Sequence, residues 1–198
     1  MKIIINATNL RRGGALQVTL SLIGELRLIS EHDFCVFLSP AFQELIEFKD
    51  YPSNIKFYEF DYPSRFIVFD KVIKKLNSTE KQINPDCVFT VFGPTYWLPR
   101  STHVMGFANG IHLYKDLPYL KNLSIKEKLK WFVLGRYHHF LLKSKADLYV
   151  VETDDVKARF AKFIDTPIDN VRTVPNTFHD VFNNQVDDLK LLPLKDKD

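Results

Sequence analysis

Lys2-Ile3-Ile4-Ile5-Asn6-Ala7-Thr8-Asn9-Leu10-Arg11-Arg12-Gly13-Gly14-Ala15-Leu16 is the stretch from which the fold is read. Its opening apolar, β-branched run predicts a buried strand. Gly13-Gly14 then turns the chain into a segment with apolar residues at 15, 16, 18, 22, 23 and 26, mostly at helical spacing. Strand, glycine turn and helix make the first half of a βαβ unit. Paired glycines allow positive φ and let a ligand approach the backbone closely. The first turn of the expected helix, Ala15-Leu16-Gln17, holds no carboxylate. Its amide hydrogens and positive dipole end are therefore open to an anion, with Arg11 and Arg12 adding positive charge just ahead. The competing reading is a tight connection and nothing more. No GxGxxG pattern is present, and the second strand, Phe34 to Ser39, runs into Pro40 with no acidic residue to hold a ribose hydroxyl. An NAD-type domain is therefore disfavoured.

The chain of 198 residues, 45% hydrophobic, suffices for one well-filled domain and is too short for two large ones. A net charge of +3 is mild and does not point to nucleic acid. Cys35 and Cys87 both fall inside expected strands, which predicts buried free thiols in a reducing compartment. Residues 1–5 lack the pattern of a signal peptide, and no apolar run approaches the length of a membrane span. The expectation is a soluble cytoplasmic protein.

Strands are predicted near 2–6, 34–39, 55–60, 86–92, 102–107 and 147–151, with a short last one at 170–174. Helices are predicted over 15–26, 41–48, 66–81, 124–145 and 154–163, the longest with Ser124 as N-cap. This alternation implies a Rossmann-like, doubly wound α/β fold with a mostly parallel sheet covered on both faces. Ligands of such sheets bind beyond the carboxyl ends of the strands. The glycine loop, Gly93 to Trp97 and Ala108 to Tyr114 all follow strands and should crowd one edge.

In the helix over 124–145, Leu129, Phe132, Val133, Tyr137, Phe140 and Leu141 form one broad apolar face, expected to be core. Lys126, Lys128, Lys130, Arg136, Lys143 and Lys145 outnumber Glu127, and Trp131 and Leu142 point elsewhere. Contact with a membrane surface is one reading of this helix, and a solvated basic face is the other. His138 and His139 are adjacent and point about 100° apart, so they cannot form the i, i+4 metal pair. Tyr96 and Trp97 are candidates for stacking on a sugar ring or a lipid-linked acceptor, or are core edges. Asn109 is a candidate polar contact or a turn residue. His112 is a candidate to bind a sugar hydroxyl or assist at a reacting centre, or is a packed histidine.

In order, Asn9 to Ala15, Pro85-Asp86-Cys87-Val88-Phe89, Val150-Val151-Glu152-Thr153 and Val174-Pro175-Asn176-Thr177-Phe178 resemble the N-terminal domain of family-four glycosyltransferases with the GT-B fold. The resemblance covers nearly all of residues 1–180. It implies that Gly13 and Gly14 lie against a donor diphosphate, with Arg12 beside them, and that Tyr96, Trp97 and Asn109 belong to an acceptor side. It also implies a second, nucleotide-sugar domain, with residues 181–198 as the interdomain linker or the truncated start of that domain. Three departures from the family stand out. Ala108-Asn109 occupies the register of a His-Asp or His-Asn pair, with His112 nearby as a substitute. Pro175-Asn176-Thr177 replaces Pro-Asn-Gly. No Glu is followed eight positions later by another Glu.

The expected function is the acceptor-side half of an enzyme that moves a sugar from a nucleotide-sugar donor to a glycan, in bacterial surface polysaccharide synthesis. The resemblance implies no metal and no cofactor, the donor being a substrate. The fragment alone is expected to be inactive and to work at the inner face of the membrane if its basic helix touches lipid. Two alternatives are a stand-alone glycan- or nucleotide-binding module and another GT-B enzyme such as a sugar-nucleotide epimerase.

Overall fold

In the computed structural model the described residues are 1–64, 70–114, 117–118 and 122–175. Among these residues, seven strands form one sheet: β1 (Lys2–Ala7), β2 (Asp33–Leu38), β3 (Ile55–Glu59), β4 (Cys87–Thr90), β5 (Thr102–Gly106), β6 (Leu148–Val151) and β7 (Val171–Thr173). All pairings are parallel, in the order β3-β2-β1-β4-β5-β6-β7. The order reverses between β1 and β4, which places a topological switch point at their carboxyl ends.

Strand alternation explains how both faces fill. Ile5 and Ala7 of β1 join Val36 and Leu38 of β2 on one face, under Ile23 of α1 (Gly14–Glu25). Ile4, Cys35 and Phe37 point the other way, against Ile73, Leu76 and Ile83 of α2 (Lys71–Ile83). Helices on opposite faces make the sheet doubly wound. A third cluster, built on Met105, Tyr149, Phe160 and Val171, lies under α3 (Ile125–Lys145) and α4 (Asp154–Ile164). Both cysteines are free, Cys35 buried and Cys87 half-buried.

The helices begin where capping chemistry allows. Asp70 accepts from the Val72 amide at 2.8 Å and starts α2. Ser124 and Glu127 form a reciprocal capping box at α3, and Thr153 caps α4.

Two expectations change. Residues 41–48 do not form a helix: the chain makes separate 3-10 turns at Pro40–Phe42 and Phe48–Asp50. Only Phe42 and Ile46 there are buried, too little apolar surface to hold so short a helix. The second correction concerns α3. Leu129, Phe132, Val133 and Phe140 face outward, and its buried residues are Leu141 and Leu142. The helix is apolar on two sides, and the sheet takes the other one. Residues 66–69 of the expected second long helix, the hinge from Asn176 onward and the tail 181–198 lie outside the described residues.

Candidate functional site

A cleft of about 1210 Å³ opens at the carboxyl ends of the central strands. The loop after β1 supplies Asn9, Arg11 and Gly14, and the loop after β4 supplies Gly93, Pro94 and Tyr96. The segment after β5 contributes Ala108, Asn109 and Gly110, with Tyr62 after β3, Glu152 after β6 and His138 of α3 closing the ring. Each of the three loops expected to converge contributes residues to this groove, but Ile111 to Leu113 of the third line a separate cavity.

The glycine loop is shaped by Gly13, at φ 81° and ψ −160°. That region of backbone space is essentially restricted to glycine. Gly13 is the N-cap of α1 and brings no side-chain hydrogen bond, and no acidic residue sits in the first turn. The leading amides of α1 therefore face the cleft without a side-chain acceptor. A Cβ on Gly14 would meet nothing within 4 Å, so open space lies over this backbone.

Asn9 fixes the loop. Its Nδ2 donates to the carbonyls of Phe92 (2.7 Å) and Pro94 (3.0 Å), which ties the β1 loop to the β4 loop across the switch point. Its Oδ1 is buried and has no hydrogen-bond partner among the described residues. Arg11 borders the cleft with its guanidinium 4.1 Å from the centre of the Tyr62 ring. Arg12, the arginine singled out in the sequence, is exposed and does not line the cleft.

Beneath this floor runs a buried polar chain that the sequence did not reveal. Asn6 Oδ1 accepts from the amide (3.2 Å) and hydroxyl (2.8 Å) of Thr8, and Asn6 Nδ2 donates to Thr90 Oγ1 at 3.0 Å. Thr90 Oγ1 lies 2.7 Å from Nε2 of His103, whose Nδ1 meets the carbonyl of Lys145 at the end of α3. A carbonyl only accepts, so the network assigns the His103 proton to Nδ1, and Thr90 donates to Nε2. Burial pushes the His103 pKa down, which keeps this imidazole neutral, against smaller upward effects of the Lys145 carbonyl, Asp147 and Glu80.

The other candidate residues separate into two groups. Tyr96 lines the cleft and stacks at 6.4 Å on Tyr137 of α3. Asn109 lines it too, while its Oδ1 accepts from the Ile111 amide at 3.2 Å, so the contact and turn readings coincide. Trp97 is a correction. It is fully buried, stacks on Phe37 at 5.8 Å and donates from Nε1 to Asn77 at 2.9 Å. It is a core residue, and its ring presents no surface to a sugar.

His112 lies outside the cleft. It lines a second cavity of about 890 Å³ between α3 and α4, stacked parallel to Phe163 at 6.0 Å and edge-on to Trp131. Its Nε2 is 2.9 Å from Nδ1 of His138, and burial holds its pKa below the usual histidine value. The imidazole that borders the cleft is that of His138. Glu152, also missed as a site residue, directly follows β6 and could have been found from the strand-end rule. His138 sits in mid-helix and carries no local signal. Among the described residues no group of three or more His, Cys, Asp or Glu side chains is placed to hold a metal ion.

No protein-family model matches the sequence, and no curated protein matches it. Solved structures do match in fold. The crystal structure of Anabaena Alr3699/HepE with UDP and glucose superposes with a TM-score of 0.55 at 15% identity, over 90% of this chain and 45% of that one. The same protein with UDP-glucose gives 0.54 at 16% identity, over 90% and 44%. The apo lipopolysaccharide outer core galactosyltransferase WaaB gives 0.49 at 12% identity. The chain thus shares its Rossmann-like α/β fold with the HepE structures and spans less than half the length of that protein.

Proposed function

We propose that this chain is the acceptor-side domain of a nucleotide-sugar-dependent glycosyltransferase. The observation that carries the reading is the convergence of the β1, β4 and β5 loops on one cleft at the switch point, locked by Asn9. The amides of Gly14 and Ala15 donate to the donor's diphosphate, and the helix dipole and Arg11 add positive potential. Tyr96 offers a ring face to a sugar, and Asn109 a polar edge. Glu152 and His138 are the carboxylate and the imidazole placed to exchange protons with an acceptor hydroxyl. The phosphate contacts come from amides and a guanidinium, so no metal is required in this scheme. That HepE was crystallised with UDP-glucose supports a nucleotide sugar as the donor class.

A second domain, continuing beyond residues 1–180, supplies the nucleobase and remaining sugar contacts, and residues 181–198 lead into it. The polymer built is a bacterial surface polysaccharide, made on the cytoplasmic side of the membrane. Calorimetric titration of residues 1–198 with UDP-glucose tests the division of labour. The expected affinity is roughly millimolar or weaker, because loop amides exchange water hydrogen bonds for phosphate ones at little net gain. Micromolar binding by this chain alone would assign it the donor half or a stand-alone binding role instead.

A further inference from the structure

The outer face of α3 carries five large apolar side chains in the open: Ile125 at 87% exposure, Leu129 at 62%, Phe132 at 66%, Val133 at 59% and Phe140 at 60%. At 3.6 residues per turn these fall on one stripe about 100° wide. Leu129 and His138 are nine residues apart and so lie about 180° from each other around the helix. His138 borders the cleft, so the stripe faces away from it. A second domain closing over the cleft would leave the stripe uncovered.

Charge decides what suits this face. Six lysines and arginines lie within α3 against one acid, Glu127, and that carboxylate is held at the helix start by Ser124. Lys126 and Lys128 flank the stripe, and Arg136 projects through it. The neighbouring cavity between α3 and α4 extends the same chemistry, with Trp131 and Phe163 beside Arg136 and Lys162. Asp155 there is already engaged by Arg159 at 2.9 Å. No helix among the described residues is long and apolar enough to cross a membrane. An apolar stripe with basic flanks, too short of apolar residues to span, is the pattern of a helix lying in the plane of an anionic interface. Lysine and arginine stems can run along the apolar surface while their charges reach lipid phosphates.

We infer that α3 docks this domain on an anionic lipid bilayer, with Leu129, Phe132, Val133 and Phe140 in the acyl boundary and Lys126, Lys128 and Arg136 on the headgroups. The inference does not depend on the proposed transfer activity. Co-sedimentation of residues 1–198 with two vesicle types tests it: phosphatidylcholine alone, and phosphatidylcholine mixed equally with phosphatidylglycerol. Binding to the mixed vesicles should be about tenfold tighter or more, and should weaken as salt is raised. Leu129→Ser combined with Phe132→Ser should cut that binding about tenfold or more. Lys126→Glu combined with Arg136→Glu should abolish the preference for the anionic vesicles. All four positions are exposed, and unchanged thermal melts would confirm that the variants fold. Absence of the chain from both vesicle pellets would overturn the inference, as would full binding by the serine variant. Concentration-dependent dimerisation that the serine variant disperses, without vesicle binding, would assign the stripe to a second copy of this chain.

Discussion

Asn9 donates through Nδ2 to the backbone carbonyl of Phe92 at 2.7 Å, so a side chain after β1 holds the main chain after β4. The same nitrogen reaches the Pro94 carbonyl at 3.0 Å. One amide group thereby sets the distance between two walls of the cleft. Asn9→Ala should cost about 1–3 kcal/mol, the penalty for leaving partly buried carbonyls without a donor. Asn9→Asp should cost more, because a carboxylate has no N–H and would set its charge against two carbonyl oxygens. Urea midpoints at neutral pH check the order. An aspartate variant as stable as wild type would remove Asn9 as the clamp.

Much of the architecture was legible because its cause is local. The β-branched run of β1, with Ile4 and Ile5 on opposite faces, needs two covered sides. That demand predicts a doubly wound sheet before any contact is known. The groove was legible for the same reason, since loops after parallel strands must share an edge. Side-chain roles were less legible because they depend on distant residues. Trp97 is buried by packing on Phe37 and by Asn77, twenty positions away. His103 receives partners from β4 and from the end of α3. The broad apolar face of α3 was visible in the sequence, but periodicity cannot say which of two apolar sides meets the sheet.

Trp97 and Tyr96 should respond in opposite ways. Trp97→Ala should destabilise the domain by about 3–5 kcal/mol, the range for emptying a core site of a large aromatic residue. Tyr96→Ala removes a half-buried ring that borders the cleft and should cost less stability. In a two-domain enzyme it should raise KM for the acceptor. Denaturation curves and acceptor titrations for both variants separate core from site. A mild stability effect at Trp97 would contradict the packing described here.

His103 predicts an acid-sensitive fold. Its imidazole is buried and its folded pKa lies below the ordinary 6.5, chiefly because burial disfavours the charged form. The unfolded chain therefore takes up a proton that the folded chain resists. The stabilising contribution is full above about pH 6.5 and is lost as pH falls through the folded pKa. His112, lowered by the same cause, acts in the same direction. Urea midpoints should drop between about pH 7 and pH 5, and His103→Gln should flatten the slope. Thr90→Val, which removes the hydroxyl between Asn6 and His103, should cost about 1–3 kcal/mol at neutral pH. A wild-type midpoint that stays level across this window would refute the neutral-histidine assignment.

The two glycines of the first loop should separate folding from chemistry. Gly13 holds a φ of 81° with an extended ψ, a conformation essentially closed to other residues. Gly13→Ala should therefore destabilise the domain by about 1–3 kcal/mol through backbone strain. Gly14 is different: it is already helical, and a Cβ there would touch nothing within 4 Å. Gly14→Ala should fold as well as wild type or better by up to about 1 kcal/mol, since alanine is the stronger helix former. On the proposed function, the space that makes this substitution harmless to folding is the space a donor diphosphate would enter. In the proposed two-domain enzyme, Gly14→Val should lower turnover about tenfold or more, because a branched side chain would displace the phosphate from the amides of α1. The measurement is paired, with a denaturation midpoint and a transfer rate for each variant. An intact rate in Gly14→Val would take the glycine loop out of the donor site, whereas lost stability in Gly14→Ala would show that the loop is packed and not open.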